Sequence, residues 1–576
     1  MTRSEIEEKN IVCDVLIVGG GAAGMWTAKR LKEISPETDI LIVDKGPKDW
    51  GGLMRFAGGD FDVVMPGENV DDWIRELTYY WDNLCDQTKM KNIFEKSYEL
   101  FQEYEKMGCE FKKDENGNYR GVPQRGLQHI KLYPAAVKGT GGENMVKNLV
   151  RILTAQNVRR MGRVTVYDLI KQEGRVVGAV GFDAINATFY RFQTKAVVLA
   201  MGQGGWKASY HANTRTADWI MMGLRAGARM RNFEFVKVGN HPRLYAWEGI
   251  SVMLPLGARF TNNKGEDFMP QYSPVMGSKN DSHYNVIAMA LEAKKGNGPI
   301  KFDVEMVKPE DRDLIRPQTG WQLLNHQKLV RAGINLFESN TEWVPQLKTS
   351  SAGFVTEEDG RTNVEGLYAT GTIQATYPTV YLGGSNLLQA AATGYMTGEG
   401  LAEYLKKSVP VVPLDAEIVA ALKEEIYKPY QKDGLTPKEV MREIQSLVFP
   451  CDICLLKSET NLKKALKRME EVQTILIPQM TAKDAHYLTK LVEVKGIALQ
   501  TELFLKNSLL REESRAGHYR EDFPRRDDTN WTCWLDVYMN ENGETITEKV
   551  RVPLENYPHH LDKFMSDNYP YYGDPV

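Results

Sequence analysis

Little in this chain points to disulfides, membranes or nucleic acid. Six cysteines in 576 residues are too few and too scattered for a disulfide scaffold, which fits a reducing cytoplasm. No run of about 18 apolar residues occurs, so no segment is expected to insert in a bilayer. The opening MTRSEIEEKNIVCDV has no apolar stretch of signal-peptide length, and a cytoplasmic location is expected. A net charge of −4 without a basic run argues against a nucleic-acid partner and against a polybasic membrane patch. There is no internal repeat and no low-complexity tract. What remains is an ordinary globular composition, 42% apolar and 26% charged, on a chain too long for one core. Two to four domains are expected, in a large soluble enzyme.

The first structured stretch, DVLIVGGGAAGMWTAKRLKEISPETDILIVDKG, reads as strand, tight turn, helix and strand. Val15–Val18 and Ile40–Val43 are short apolar runs, and Ala22–Ile34 suits a helix. Gly19, Gly21 and Gly24 occupy the three positions of G-x-G-x-x-G. The first permits the turn, the second lets a pyrophosphate approach the backbone, and the third packs helix on strand. Asp44 ends the second run 20 residues past Gly24, where an acid can meet a ribose hydroxyl. The spacing predicts a dinucleotide site.

Two later passages repeat the strand-to-glycine step, TKAVVLAMGQGGW (194–206) and NVEGLYATGT (363–372). Three such edges point to one large cofactor gripped along its length. No second G-x-G-x-x-G unit exists, so no separate NAD(P)H domain is indicated. A late turn, TVYLGGSNLLQAAATGY (379–395), places Gly383-Gly384 ahead of an Ala-rich helix whose free N–H groups would face a ligand. Beyond the Pro-punctuated SVPVVPL (408–414), the text is helical to about 511. WLDVYMNENGETITEKVRV then alternates around Asn542-Gly543 as a hairpin. The aromatic tail NYPYYGDPV is expected to dock on a neighbouring domain or a partner.

The order of these segments resembles the flavoprotein subunit of the fumarate reductase/succinate dehydrogenase superfamily, which includes L-aspartate oxidase and the adenylylsulfate reductase alpha subunit. The resemblance runs through the fingerprint, AGGDFDV, VVLAMGQGG, TADWIMMGLRAGARM, NHP, NNKGEDFM, GLYATGT, GGSNLLQAA and LLREESRAGHYREDFPRRDDTNW. It implies an α/β fold: a Rossmann-like FAD-binding domain (1–239 and 351–407) interrupted by an α+β capping domain (240–350). A helical domain (414–533) and a short hairpin and tail (534–576) would follow. It also implies FAD contacts from Gly19, Gly21, Ala22, Ala23, Gly24, Asp44, Lys45, Gly58, Gly59, Ala200, Gly202, Asp218, Gly371, Gly384, Ser385, Asn386 and Leu387. Ser385, Asn386 and Leu387 would turn their N–H groups to the electron-rich C2=O end of the ring. A Cβ at Gly383 or Gly384 is expected to collide with that ring.

Departures from the family pattern say more about chemistry. Respiratory members attach FAD through a histidine several residues before a Gly-Gly pair. With that pair on Gly58-Gly59, Gly52 stands in its place, and GPKDWGGLMRFAGGD has no His, Cys or Tyr. FAD is therefore expected to be held non-covalently, which favours a reductase over a succinate oxidiser. The family's substrate lies between flavin and cap, clamped by two arginines and two histidines. Here His241 is retained, Lys348 replaces the second histidine, and Tyr284 (beside His283) replaces the proton-donating arginine. Leu382 replaces the other arginine. Tyr and Leu cannot make bidentate Arg–carboxylate pairs, so fumarate, succinate and aspartate are not expected substrates.

The candidate catalytic residues are thus His241, Tyr284, Lys348 and Arg259, with Arg243 as another spare cation. Each has an ordinary alternative. His241 would orient the loop before Pro242, Tyr284 would pack under the cap, and Lys348 would be a solvated lysine. Arg515 and His518 read best as an ion-pair network joining the helical and FAD domains. Cys451 and Cys454 form a lone C-x-x-C without the further ligands a metal or cluster needs; two buried thiols are expected, and no metal site.

The expected function is a catalytic flavoprotein subunit that passes electrons between a small, non-dicarboxylate molecule and an iron–sulfur or ferredoxin-like partner. A self-contained flavin reductase or dehydrogenase of an unsaturated acid, ketone or aromatic compound is the alternative, and a non-catalytic FAD-bound scaffold a third. The flavin prediction is direct: acid precipitation of the yellow protein should release its colour to the supernatant, and a yellow pellet would contradict non-covalent attachment.

Overall fold

The computed structural model describes residues 6–124, 126–136, 141–208, 214–243, 250–280, 282–309, 331–333, 341–376, 382–430 and 433–572. At its centre is a five-stranded parallel sheet in the order Leu367–Ala369, Ala196–Leu199, Val15–Val18, Ile40–Asp44, Arg159–Gly162. Its inner strands read as apolar runs because both faces are covered, and Val15–Val18 is buried throughout; the edge strand Arg159–Gly162 is polar and partly exposed. The three glycine passages follow three neighbouring strands of this sheet, so far-apart segments meet at one carboxyl edge. A second sheet of Glu8–Val12, Phe189–Gln193, Arg175–Asp183 and Val164–Gln172 lies beside it.

The fingerprint helix Ala22–Ile34 packs along the closing helix Ser385–Leu405. A Cβ at Gly394 would stand 2.6 Å from the Ala23 carbonyl oxygen, and one at Gly398 2.8 Å from Arg30 Cβ. The closing helix accepts these glycines, each costing about 1 kcal/mol of helix propensity, because they let two backbones approach closely.

The intervening segment builds an antiparallel cap sheet in the order Val236–Pro242, Thr341–Ser350, Lys301–Asp303, Arg259–Thr261, with the helix Ser282–Glu292 against it. Its first strand starts before residue 240. The C-terminal hairpin is not separate: Cys533–Met539 pairs with Met230–Arg231 and with Thr545–Arg551. Pairing of this kind covers a strand edge that would otherwise be exposed.

Between these parts run Ala416–Tyr427, Pro437–Val448, Glu459–Glu471 and the 26-residue helix Ala485–Leu510. Arg515 and His518 belong to the buried joint expected for them. Arg511, Glu234, Glu513 and Arg515 are fully buried. Arg511 Nε donates to Glu234 Oε1 at 3.0 Å, Arg511 Nη1 to Glu513 Oε1 at 2.9 Å, and Arg515 Nε to the same oxygen at 2.7 Å. Arg511 also donates to the Trp531 and Cys533 carbonyls. Buried charges persist only when paired and hydrogen-bonded this fully. Among the described residues no helix is long and apolar enough to cross a membrane.

Lys457 is buried in the same joint, its Nζ 3.3 Å from His518 Nδ1. Burial pushes the ammonium down to about 7, with Arg520 adding and Cys454 and Glu234 opposing. Between pH 7 and the ordinary lysine range, the folded chain therefore holds fewer protons than the unfolded one, and stability should rise with pH. Lys457→Met should flatten that rise, whose ceiling is about 1.4 kcal/mol per pH unit. Urea unfolding at pH 7 and pH 9 measures it; an unchanged slope in the variant would exclude Lys457 as the source.

Candidate functional site

The cofactor edge is built from backbones that leave no room for side chains. Gly19 has φ +113°, and a Cβ there would lie 2.3 Å from the Ala200 carbonyl oxygen. A Cβ at Gly24 would meet the Gly19 carbonyl oxygen at 2.1 Å. Gly371, at φ +81°, lies so close to the fingerprint helix that a Cβ would stand 2.6 Å from Ala23 Cβ. All three passages therefore close on one turn. Gly21 is different: it caps the helix, and no protein atom comes within 4 Å of where its Cβ would be. Gly202, at φ +76°, faces open space in the same way. Those two openings are where a pyrophosphate can lie against helix-terminal N–H groups.

Asp44 braces this turn. Its Oδ2 accepts from Gly20 N–H at 2.7 Å and its Oδ1 from Gly46 N–H at 2.6 Å. Each carboxylate oxygen keeps a lone pair that a ribose hydroxyl can use. Lys45 and Asp218, expected at the cofactor, are bonded to each other at 3.2 Å. Lys45 also pairs with Glu493 of the long helix Ala485–Leu510. Lys45, Lys207 and Lys490 surround Glu493 and hold its carboxyl far below the ordinary range despite burial. The two residues thus latch the helical layer to the cofactor edge.

Gly58 and Gly59 are covered by the amino end of the helix Gly141–Ala155. Gly141 N–H donates to the Gly58 carbonyl, and a Cβ at Gly59 would be 2.7 Å from Gly141.

The late turn holds a correction. Gly384 has φ +84°, but its missing Cβ leaves space for Asp62 (2.8 Å to Oδ1, 2.9 Å to N), and that of Gly383 for Leu132 at 3.0 Å. The chain itself thus leaves no room for a Cβ at Gly384, whereas at Gly383 the neighbour is the movable end of Leu132. Gln124 clamps the turn: its Oε1 accepts from Gly383 N–H at 3.3 Å, and its Nε2 donates to the Gly383 carbonyl and, at 3.0 Å, to Asp62 Oδ1. Burial pushes the Asp62 carboxyl well above the usual range, and Asp60 adds to this. Leu382 is 3% exposed; residues 379–381 of the quoted turn lie outside the described residues. Ser385 and Leu387 open the closing helix, and Asn386 Oδ1 is buried without a hydrogen-bond donor among the described residues. An orphaned acceptor beside helix-terminal N–H groups fits a bound group with its own donor, as the flavin imide has.

The cap contributes charge. His241 is fully buried on the strand Val236–Pro242, paired with Val344. Between Lys237/Thr349 and Val238/Leu347 the ladder slips, leaving Lys348 as the extra residue of a bulge, a device that re-aims a side chain. Around Gly239 the two groups converge: a Cβ there would lie 2.6 Å from Lys348 Nζ and 2.8 Å from His241 Nε2. Lys237 shares this strand face by alternation and is buried. The bulged strand is stitched to the glycine passage, Ser350 N–H donating to the Gly204 carbonyl at 3.0 Å and Gly205 bridging Thr349. Arg215 stands at the same junction, its Cβ 3.0 Å from the Cβ position of Gly205 and its Nε buried without an acceptor among the described residues.

Tyr284 is fully buried on the helix Ser282–Glu292, its ring 3.9 Å from that of His283. Arg259 is committed to Asp303, 2.8 Å away on the paired strand, and Arg243 to Glu342 at 2.7 Å. Cys451 is half-buried and Cys454 buried; both are free thiols, and burial pushes Cys451 up to about 11. Among the described residues no group of three His, Cys, Asp or Glu side chains is placed to hold a metal. Gln124, Asp62 and Arg215 were not singled out from the sequence. Asp62 lies within the quoted AGGDFDV and Arg215 directly precedes TADWIMMGLRAGARM, whereas Gln124 carries no signal, being 259 positions from its partner Gly383.

The open Cβ position of Gly21 allows a clean test of the cofactor edge. Gly21→Ala should leave the melting temperature of the apoprotein unchanged and weaken FAD binding by about tenfold or more (1.4 kcal/mol). Gly24→Ala, whose Cβ meets backbone, should lower both. Equal FAD affinity in Gly21→Ala and parent, measured by flavin-fluorescence titration, would refute this placement.

Comparison with known proteins agrees with this geometry. The model of the FAD binding domain matches residues 14–388, and that of the fumarate reductase flavoprotein C-terminal region matches 449–562. A fumarate reductase (CoM/CoB) subunit of Methanothermobacter marburgensis is 24% identical, covering 90% of this chain and 96% of its own. L-aspartate oxidase of Yersinia pestis is 23% identical over 89% and 96%. Among solved structures, the flavoprotein of E. coli quinol fumarate reductase superposes with a TM-score of 0.85 at 19% identity, covering 96% of this chain and 98% of that one. Adenylylsulfate reductase of Archaeoglobus fulgidus gives 0.81 at 19%, over 96% and 97%. The chain belongs to the FAD-binding family of the fumarate reductase flavoproteins and is an FAD-dependent oxidoreductase.

Proposed function

We propose that this oxidoreductase acts on a small anionic molecule other than a four-carbon dicarboxylate, and exchanges electrons with a separate iron–sulfur or ferredoxin-like protein in the cytoplasm. The observation that carries this is the convergence of His241 and Lys348 around Gly239, together with the buried leucine at position 382. FAD, when bound, supplies hydride or electron-pair transfer at N5.

The chain's own groups supply the rest. Lys348 offers a compact positive charge to an anionic group, without the planar fork that makes arginine a carboxylate clamp. His241 Nε2 can hold or release a proton beside it. Tyr284 has a phenol able to act as a general acid when oriented. Leu382 excludes water from the turn and gives a second carboxylate nothing to bind. The electron partner is supported by the missing NAD(P)H unit in the sequence. It is supported also by relatives named as subunits of larger reductases.

The experiment is anaerobic reoxidation of the dithionite-reduced holoenzyme by a panel of unsaturated monocarboxylates, sulfonates, neutral enones, fumarate and iminoaspartate. A monoanion should reoxidise the flavin fastest. Reoxidation by fumarate alone would overturn the reading, and turnover of the isolated chain with NAD(P)H would oppose a separate electron partner. With the best monoanion, Lys348→Met should raise its half-saturating concentration about tenfold, the equivalent of 1.4 kcal/mol, and leave the flavin content unchanged. Gly239→Ala should act in the same direction, since its methyl displaces the end of Lys348.

A further inference from the structure

A buried segment near the end of the described residues lies against Tyr284 of the cap. Tyr569 stacks on Tyr284 with ring centroids 4.2 Å apart and planes 7° from parallel. The Tyr571 hydroxyl donates to the Tyr284 backbone carbonyl at 3.2 Å, and its ring packs against Tyr272 of the cap and edge-on to Tyr519. Ser273 Oγ reaches the Tyr569 hydroxyl at 3.5 Å, and Asn280 Nδ2 the Met565 sulfur at 3.4 Å. The other side of the same segment holds the amino-terminal helices. Ser566 Oγ donates to Asp82 Oδ1 at 2.9 Å, and Asn568 Nδ2 to the Tyr79 hydroxyl at 2.8 Å. Phe564, Met565, Ser566, Tyr569 and Tyr571 are each 5% exposed or less.

We propose that residues 564–571 form an intramolecular strap that joins the cap to the helix Val70–Tyr80, and that Tyr569 is the positioning residue for Tyr284. A tyrosine has two rotatable side-chain bonds, and a parallel ring at stacking distance fixes both of them. The bond from Tyr571 fixes the backbone of the same residue. The strap thereby sets where the Tyr284 phenol stands relative to the sheet that carries His241 and Lys348. Side-chain hydrogen bonds carry the link to the amino-terminal helices, so the cap cannot swing away from them without breaking this segment's contacts. The inference rests on Tyr284 belonging to the reaction site.

The test uses the full-length holoenzyme with 3-fluorotyrosine at position 284. Tyr569→Phe keeps the stack and should leave the fluorine resonance in place. Tyr569→Ala should shift and broaden it, and should speed amide exchange over residues 284–288 about tenfold, with Tyr571→Phe giving a smaller acceleration. A resonance and exchange pattern unchanged in Tyr569→Ala would overturn the strap. These readouts need no substrate, so they stand apart from the functional reading. In reoxidation by the best monoanion of the panel, Tyr569→Ala should lower the maximal rate in the parent. It should have no further effect in Tyr284→Phe. Equal losses in both backgrounds would show that Tyr569 does not act through Tyr284.

Discussion

The contact between the fingerprint helix and the closing helix is the constraint on which the site depends. Gly394 and Gly398 lie against Ala23, Thr27 and Arg30 at distances that admit no Cβ, and Gly371 meets Ala23 in the same way. These approaches draw the carboxyl ends of three parallel strands and the late turn into one edge. A single added methyl at any of them would have to push two backbones apart, because packed interiors have no slack to absorb it. The openings at Gly21 and Gly202, where no protein atom comes near the Cβ positions, exist only because these other contacts hold the walls in place.

Charge enters from elsewhere. The cofactor edge spends its ionic groups on structure, with Lys45, Asp218 and Glu493 tied together and Asp44 bracing two turns. Polarity comes instead from the cap, through one irregularity, the bulge at Lys348. A regular ladder at that point would pair every residue of the strand; the extra residue carries a lysine beside His241. Stitching of the same strand to Gly204 and Gly205 couples the bulge to the cofactor passage. Geometry at the cap and at the cofactor edge is therefore set by one strand.

Much of this was legible in the sequence because the constraints are local. Val15–Val18, Ala22–Ile34 and the strand at Ile40 follow from apolar runs and glycine spacing, and the helical stretch after 414 from periodicity. The joint around Arg515 and His518 was legible as an ion-pair network because Arg511, Glu513 and Arg515 are neighbours in the chain, although Glu234, 277 positions from Arg511, was not. What escaped is non-local. Gln124 reaches Gly383 and Asp62 through the fold alone. The hairpin of 533–551 pairs with Met230–Arg231, a two-residue strand with no pattern of its own. The bulge cannot be seen without knowing the partner strand. Tyr569 was visible as an aromatic tail but not as the neighbour of Tyr284.

The late glycine turn illustrates how a reading changes when space is measured. Gly384 answers to Asp62 and Phe61, so it would be required whatever the substrate, while at Gly383 the close neighbour is only the end of Leu132. The turn is also clamped by Gln124 through its own peptide groups, leaving the residue at its mouth without a structural duty in hydrogen bonding. Leu382 instead serves packing, being 3% exposed in the main apolar core. With leucine, position 382 brings no charge to the turn, and among the described residues the cation Lys348 of the cap stands beside His241 and the cation Arg215 beside Gly205 of the glycine passage. The proposed preference for an acceptor with one anionic group rests on these two features together, the leucine at 382 and the convergence of Lys348 and His241 around Gly239.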